Sequence, residues 1–160
     1  MNLILLRHGK AEDHNPGGDY ARALVERGRE QARKQGRLLK GAGLLPDIVL
    51  TSPLLRARQT ADEFCEAAGI PGPVIQGWIA SGMNTDQALT ELAAFKDFRR
   101  VMIVGHEPDF SQFLIDVLGV SVGDIEVKKG TIACLRISPP SKRGTLTSLI
   151  PPKLADDVDD

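Results

Sequence analysis

Residues 2–12, NLILLRHGKAE, place an arginine, a histidine and a glycine directly after a short run of apolar side chains. The run from Leu3 to Leu6 has no polar interruption, which is typical of a parallel strand covered on both of its faces. A guanidinium and an imidazole at the exit of such a strand bring a positive charge and a nucleophile to one point. The stretch therefore predicts a buried first strand that ends at an anion site formed by Arg7 and His8.

Apolar strand patterns and amphipathic helix patterns alternate along the rest of the chain. The predicted strands are 3–6, 48–50, 74–75 and 101–104, and the predicted helices cover about 21–40, 52–68, a stretch from 85 onward, and 108–118. Ser52 is expected to cap the second helix and Thr85 the third. Two further strands, 131–137 and 146–150, are joined by a turn rich in proline and glycine, which indicates a hairpin.

This order of elements predicts an α/β fold with three layers: a mostly parallel central sheet, helices on both faces and a C-terminal hairpin. We expect a single domain over residues 1–154, followed by an acidic tail at 155–160 that is flexible. The length of 160 residues is enough for one domain with a substantial buried core.

The charge and composition exclude several classes of partner. With 20 Lys and Arg against 21 Asp and Glu, the formal net charge is −1, which provides no overall attraction to nucleic acid or to an anionic membrane. No segment approaches the roughly 18 apolar residues of a membrane span, and the N-terminal run is too short for a signal peptide. We therefore expect a cytoplasmic protein in which Cys65 and Cys134 are reduced and, lacking CxxC spacing, bind no metal.

Two more strand exits have the same layout as the first. Ser52 follows the second predicted strand, with Arg56 about one helical turn beyond it, and His106 follows the fourth. Ligands bind at the carboxyl ends of the strands in open parallel sheets. We therefore expect Arg7, His8, Arg56 and His106 to converge on one pocket.

Three segments that carry these residues resemble the motifs of the histidine phosphatase superfamily: RHG at 7–9, SPLLRARQTA at 52–61 and VGHEPDFS at 104–111. The resemblance implies a phosphoglycerate mutase-like fold in which His8 takes up a phosphoryl group, with Arg7, Arg56 and His106 as its catalytic partners. The short chain and the RHGKAE start are most similar to the SixA-type phosphohistidine phosphatases. The stretches VKKGTIACLRI at 127–137 and IPPKL at 150–154 also resemble the closing strands of that branch.

The residue types suit this chemistry. A phosphoryl group in transfer carries charge on three equatorial oxygens, and two guanidiniums offer them bidentate donors. Neighbouring cations keep His8 neutral, and its second ring nitrogen is expected to donate to a backbone carbonyl. Gly9 is expected to let the backbone pass close to the phosphate. Arg7, Arg56 and His106 supply positive charge, so neither a metal nor another cofactor is expected.

Other polar residues lie near these motifs. Arg22 matches an arginine of the SixA-type branch that precedes the first helix, so we expect it at the border of the pocket. Ser52 is expected to contact substrate. His14 lies in a polar loop with no partner motif and serves as a control. Lys128 and Lys129 are interpreted as a solvated pair that is also able to guide an acidic phosphoprotein.

A carboxylic acid is missing from one place where it would be expected. Superfamily members that act on alcohol esters carry an acid early after the third strand or next to the second histidine. Residues 78–82 read WIASG here, and Glu107 is the neighbour of His106. An alkoxide leaves poorly without a proton, whereas a phosphohistidine imidazole leaves neutral when its distal nitrogen is protonated.

The sequence thus favours a phosphatase that removes phosphate from phosphohistidine on a protein, such as a histidine phosphotransfer domain, through a covalent phospho-His8 intermediate. One alternative is a phosphatase of small phosphomonoesters that uses Glu107 or water as proton donor. A second alternative is a phosphate-binding module without catalysis. Neither nucleic acid nor a membrane is expected as a partner.

Overall fold

The chain is described over residues 1–158 by a computed structural model, in which strands and helices alternate before a final hairpin. The strands are β1 (Asn2–Arg7), β2 (Ile48–Thr51), β3 (Val74–Ile75), β4 (Arg100–Gly105), β5 (Ile132–Ile137) and β6 (Gly144–Ile150). The helices are α1 (Glu26–Gly41), α2 (Leu55–Ala68), α3 (Thr85–Ala93) and α4 (Asp109–Leu118). Short 3-10 helices cover Asp19–Ala21, Gly77–Ile79 and Pro152–Val158.

All six of these strands form one sheet in the order β3-β2-β4-β1-β5-β6. The first four in that order run parallel, β5 is antiparallel to β1, and β6 is antiparallel to β5. The predicted α/β architecture with a mostly parallel sheet and a C-terminal hairpin is confirmed. Because β1 and β4 are the two central strands, the segments that follow them meet in the middle of the carboxyl edge.

The alternation of side chains along β1 explains why its apolar run is continuous. Leu3 and Leu5 face a core shared with α3 and α4, whereas Ile4 and Leu6 face a second core shared with α1 and α2. Every one of these side chains is at most 2% exposed. Burial of such a side chain stabilises the fold by about 1.5–3 kcal/mol, so both faces of the strand must be apolar. The sheet is the middle layer of three.

Helix α1 begins later than its amphipathic pattern predicts. The expected start was near Ala21, but Glu26 is the first helical residue and Val25 precedes it in an extended conformation. Leu24 forms an isolated antiparallel bridge with Ala11, and the N–H of Val25 donates to the carbonyl of Lys10 at 3.1 Å. This pairing with a distant segment holds the residues before Glu26 extended, and helical periodicity contains no signal for it.

The two predicted serine and threonine caps are wrong. Helix α2 begins at Leu55 without a side-chain cap, because its N-cap position is occupied by Leu54 and Ser52 lies two residues too early. Helix α3 is capped one residue before Thr85, by Asn84, whose side-chain oxygen accepts the N–H of Gln87 at 3.0 Å. Asparagine caps a helix at least as well as threonine does, so the helix is capped at the earlier of the two positions.

Cys65 and Cys134 are free thiols, as predicted. Burial raises the pKa of Cys65 to about 12, with Asp62 adding to the shift, so this thiol is not a nucleophile.

Among the residues described, no helix has both the length and the apolar character needed to cross a membrane. The predicted acidic tail extends to residues 159–160, which lie outside the described residues, and its flexibility stays a prediction.

Candidate active site

Four side chains from three separate elements meet at the carboxyl edge of the sheet. Parallel register places Arg7 beside Gly105, so His8 and His106 leave neighbouring strands side by side. The His8 N–H donates to the carbonyl of Gly105 at 3.0 Å, and the two imidazole centroids lie 5.4 Å apart. Arg56, from the first turn of α2, is 5% exposed, and its charge and that of Arg7 act on both histidines. The structure thus brings together the four residues that the motifs singled out.

The ring of His8 is held in the form that a nucleophile requires. Its Nδ1 lies 2.8 Å from the carbonyl oxygen of Gly9, and because that oxygen can only accept, Nδ1 carries the proton. This leaves the lone pair on Nε2. The pKa of His8 is lowered to about 4, mainly by burial, with the charges of Arg56, Arg7 and Lys129 contributing, while the hydrogen bond to Gly9 opposes the shift. His8 is therefore neutral at physiological pH.

His106 is oriented by Ser52. Its Nε2 lies 2.7 Å from the Ser52 hydroxyl oxygen, which also accepts the N–H of Leu54 at 3.2 Å. The arrangement that satisfies these groups has the hydroxyl donating to Nε2, which leaves the proton of the neutral ring on Nδ1. That nitrogen is buried without a partner among the described residues. His106 therefore presents a hydrogen-bond donor from Nδ1.

Two expectations about this pair need correction. Ser52 was expected to contact substrate, but its side chain is fully buried and its hydroxyl positions His106 instead. His106 was expected to add positive charge. Burial lowers its pKa to about 3, and the neighbouring His8 and Arg56 contribute, so the ring is neutral. The fixed positive charge of the site belongs to the two arginines.

Each of the two guanidiniums is held by hydrogen bonds from its terminal nitrogen atoms, and each keeps a buried Nε donor that these bonds do not use. Arg7 Nη1 donates to the carbonyl of Val127 at 2.8 Å. Arg56 donates from Nη1 to the carbonyl of Asp19 at 2.9 Å and from Nη2 to its carboxylate at 3.2 Å. The Nε atoms of both arginines are buried and, within the part of the chain described, have no partner. A buried donor without a hydrogen-bond partner destabilises the fold. The two Nε donors and His106 Nδ1 are therefore suited to bind an anion with several oxygens.

Gly9 has a different role from the one expected. Its N–H donates to the Thr60 hydroxyl at 3.0 Å and its carbonyl accepts from His8, so neither group is left for a phosphate. A Cβ on Gly9 would lie 2.5 Å from the carbonyl oxygen of Gly28, and one on Gly28 would lie 2.1 Å from that of Lys10. The glycine is required because the loop after β1 packs backbone to backbone against α1. Thr60 also donates to the carbonyl of Arg56 at 2.7 Å and so links the loop to α2.

Asp19 also lies at the candidate site, although no sequence pattern points to it. Its carboxylate accepts from Arg56 and, at 2.9 Å, from Arg22 Nη1, while Arg22 Nε donates to the carbonyl of Glu12. Arg22, expected at the pocket border, thus acts on the site through Asp19. The side-chain hydrogen bond from Arg22, and then the charge of Arg56, keep the pKa of Asp19 below its ordinary value. Nothing in the loop sequence indicates these contacts, because they depend on where α2 lies.

The other nearby carboxylates are already engaged. Glu107 accepts hydrogen bonds from the Ser111 N–H at 2.9 Å and from its hydroxyl at 2.5 Å. Asp109 accepts from the backbone N–H groups of Gly82 and Met83, and burial raises its pKa. Among the described side chains, no group of three or more His, Cys, Asp or Glu residues is arranged to hold a metal ion.

The depressed histidine pKa values lead to a prediction about pH. His8 and His106, with ordinary values of 6.5 and folded values of about 4 and about 3, bind protons more readily when the chain is unfolded. Between about pH 6.5 and pH 4 the unfolded state therefore gains protons that the folded state does not. We expect the free energy of unfolding to fall as the pH falls through this window.

NMR titration of the imidazole rings checks this prediction. Both rings are expected to keep the signals of neutral imidazole at pH 5.5. An inflection near pH 6.5 for His8 would contradict the burial and charge effects described above.

Comparisons with known proteins show what the chain is similar to in sequence. The family model described as histidine phosphatase superfamily (branch 1) matches residues 3–79. An uncharacterized protein of Picosynechococcus sp. is 34% identical over 143 residues, which cover 85% of each chain. The 2,3-bisphosphoglycerate-dependent phosphoglycerate mutase of Thermobifida fusca is 44% identical over 80 residues, but these cover 48% of this chain and only 32% of the mutase.

Solved structures show the same fold. The protein histidine phosphatase SixA complexed with tungstate superposes with a TM-score of 0.86 at 22% identity, over 96% of this chain and 99% of that one. A structure named for the phosphohistidine phosphatase SixA of Agrobacterium tumefaciens has a TM-score of 0.79 at 26% identity, over 93% and 96% of the two chains.

Proposed function

Because the chain belongs to the histidine phosphatase superfamily, we propose that it removes phosphate from phosphohistidine on a protein through a covalent phospho-His8 intermediate. The observation that carries the proposal is the state of His8: a neutral ring with its proton fixed on Nδ1 and its Nε2 lone pair free. A site that only binds phosphate does not need an unprotonated nucleophile beside its donors.

The proposed reaction has two steps. In the first, His8 Nε2 attacks phosphorus, a new P–N bond forms, and the P–N bond of the substrate breaks with its electron pair going to the departing imidazole. In the second, the oxygen of water forms a bond to the phosphorus of phospho-His8, and the P–Nε2 bond breaks with its electron pair returning to Nε2. The protons of the water leave with the inorganic phosphate or pass to solvent, and His8 returns to its starting state. The Nε atoms of Arg7 and Arg56 and the Nδ1–H of His106 donate to the oxygens on which charge accumulates.

The engagement of the nearby carboxylates supports a substrate with a P–N bond. Asp19 is ion-paired with Arg56 and Arg22, which favours its charged form. Glu107 is bonded to Ser111 through both oxygens, and Asp109 is bonded to the segment at 82–83. None of the three is a free proton donor as positioned. An imidazole that leaves neutral needs no such donor, whereas an alkoxide does.

Hydrolysis of small phosphomonoesters is the second candidate function. The observation in its favour is the 44% identity to a phosphoglycerate mutase, although the chain spans only about a third of that protein's length. This function requires that Glu107 break its hydrogen bonds with Ser111 and donate a proton to the leaving group, or that water donate this proton.

A substrate comparison with the purified protein separates the two functions. The substrates are a histidine phosphotransfer domain phosphorylated on histidine, nitrophenyl phosphate, and a panel of sugar phosphates and phosphoglycerates. We expect the phosphoprotein to react well and the alkyl phosphates least. Nitrophenyl phosphate is expected to react faster than the alkyl phosphates, because its acidic leaving group departs without a donated proton. Rapid turnover of an alkyl phosphate would assign the protein to the second function.

Replacing Glu107 by glutamine tests the proton donor directly. Glutamine keeps a side-chain oxygen that accepts from Ser111 but cannot supply an acidic proton. We expect kcat on the phosphohistidine protein to change by less than about threefold, because general acid catalysis typically contributes about 10²–10⁴-fold only where it is used. A loss of that larger size on the phosphoprotein would identify Glu107 as the general acid.

Two further properties are part of the proposal. The enzyme works without a metal ion, since Arg7 and Arg56 provide the charge that a cation would otherwise supply. The protein is located in the cytoplasm, which is consistent with its two free cysteines.

A further inference from the structure

A basic groove opens beside the catalytic pocket. It has a volume of about 1020 Å³ and lies between α1, the loop at 126–130 and the C-terminal 3-10 helix. Besides Arg7, the groove is lined by Lys10, Arg27, Lys34, Lys128, Lys129 and Lys153, against only Glu30 and Glu126 among the residues described. The whole chain carries a formal net charge of −1, so this excess of cations is local.

Three cations of the groove, Arg27, Lys128 and Lys129, differ from those on the neighbouring face of α1. On that face Arg29 and Arg33 both form ion pairs with Glu63. Arg27, two residues before Arg29 and on the groove side of α1, is exposed and forms no ion pair with the described part of the chain. The same holds for Lys128 and Lys129. Their charge is not neutralised within the described chain and is available to a negatively charged partner.

The floor of the groove is apolar, which favours a protein over a free anion. Val127, Pro151 and Pro152 line it, and the Leu154 side chain is 63% exposed at its end. A small phosphorylated molecule needs buried, converging donors, whereas the lysines at 10, 128, 129 and 153 are exposed. A broad surface with an apolar centre and a charged rim is typical of protein interfaces.

The groove is continuous with the site. Arg7 lines the groove, and its guanidinium is bonded to the carbonyl of Val127 in the groove floor at 2.8 Å. Lys129 is close enough to His8 for its charge to lower the pKa of that ring. A protein seated in the groove would therefore place side chains at its edge next to His8.

We infer that this groove, defined by Arg7, Lys10, Arg27, Lys34 and residues 126–129 together with Pro151–Leu154, docks an acidic face of the phosphoprotein whose phosphohistidine enters the site. The inference rests on the proposed function and adds the recognition surface and the charge of the partner.

Charge reversal away from His8 tests the inference. The variant is Arg27→Glu combined with Lys128→Glu; glutamate is favourable in the first turn of α1, which limits damage to the fold. The matched control is Lys96→Glu combined with Arg99→Glu. These exposed residues line a second basic cavity, of about 730 Å³, near the amino ends of the central strands, and they undergo the same change in net charge. Circular dichroism verifies that both variants are folded.

The readout is steady-state kinetics on two substrates, an acidic histidine phosphotransfer domain phosphorylated on histidine and nitrophenyl phosphate. In the groove variant we expect KM for the phosphoprotein to rise by about tenfold or more with kcat little changed. With nitrophenyl phosphate, kcat/KM is expected to stay within about twofold in both variants, and the control variant is expected to match the unmodified protein on the phosphoprotein.

The possible failures are distinguishable. An unchanged KM in the groove variant, or an equal rise in the control, would overturn the docking surface alone. A parallel loss on nitrophenyl phosphate would also overturn it, because the variant would then have damaged catalysis. If the unmodified protein hydrolyses nitrophenyl phosphate but not the phosphoprotein, the proposed function fails and the docking inference fails with it.

Discussion

Replacing His8 by alanine is expected to abolish turnover on every substrate, with a loss of roughly 10⁴-fold or more in kcat, as for removal of an enzyme's nucleophile. In the proposed mechanism the ring supplies the atom that forms the covalent intermediate, and Cys65, the buried thiol, has too high a pKa to take its place. The fold is expected to survive. His8 lies after β1 rather than within it, and its backbone N–H bond to Gly105 does not depend on the side chain.

The measurement combines kinetics with trapping of the intermediate. The unmodified protein, quenched during turnover of a ³²P-labelled phosphoprotein, is expected to retain acid-labile label that is absent from His8→Ala. The control is His14→Ala, since His14 is exposed and belongs to no contact of the site. More than trace activity in His8→Ala would remove His8 as the nucleophile. Phosphate binding without turnover in the unmodified protein would favour the non-catalytic alternative.

Replacing Arg56 by alanine is expected to lower kcat/KM by roughly 10²-fold or more, the loss seen when one main electrostatic donor is removed. The change removes a buried Nε donor and a charge that acts on both histidines, and it leaves the Asp19 carboxylate with Arg22 as its remaining partner. Arg56→Lys is expected to recover little. Lysine has no Nε–H, and its compact ammonium cannot bridge Asp19 and a phosphoryl oxygen as a planar fork does.

Arg58→Ala is the matched control for this prediction. Arg58 lies two residues further along α2 and is exposed, whereas Arg56 is buried. The control loses the same charge from the same helix but no donor of the site, and it is expected to change kcat/KM by less than about twofold. Equal losses in the two variants would mean that the helix contributes only a general positive field and that Arg56 is not a specific donor.

The sequence by itself determined the architecture and the four residues at the centre of the site. The apolar run at 3–6 needed both of its faces covered, and this requirement alone indicates a central parallel strand. Helical and strand periods alternated clearly enough to predict the layers, since these patterns are local. Arg7, His8, Arg56 and His106 were accessible to the same reasoning because each comes directly after a strand or one turn into the next helix.

Only the tertiary structure decided how these side chains are held. Gly9 must be glycine because the backbone of Gly28 packs against it. The Ser52 hydroxyl contacts His106 instead of capping a helix or contacting substrate. The Asp19 carboxylate accepts hydrogen bonds from both Arg56 and Arg22. Each contact links residues between 3 and 54 positions apart in the chain, and most cross from one element to another. A local pattern shows which groups a residue can offer, but hydrogen bonds form with whatever partner the packing of the sheet and helices brings within about 3 Å.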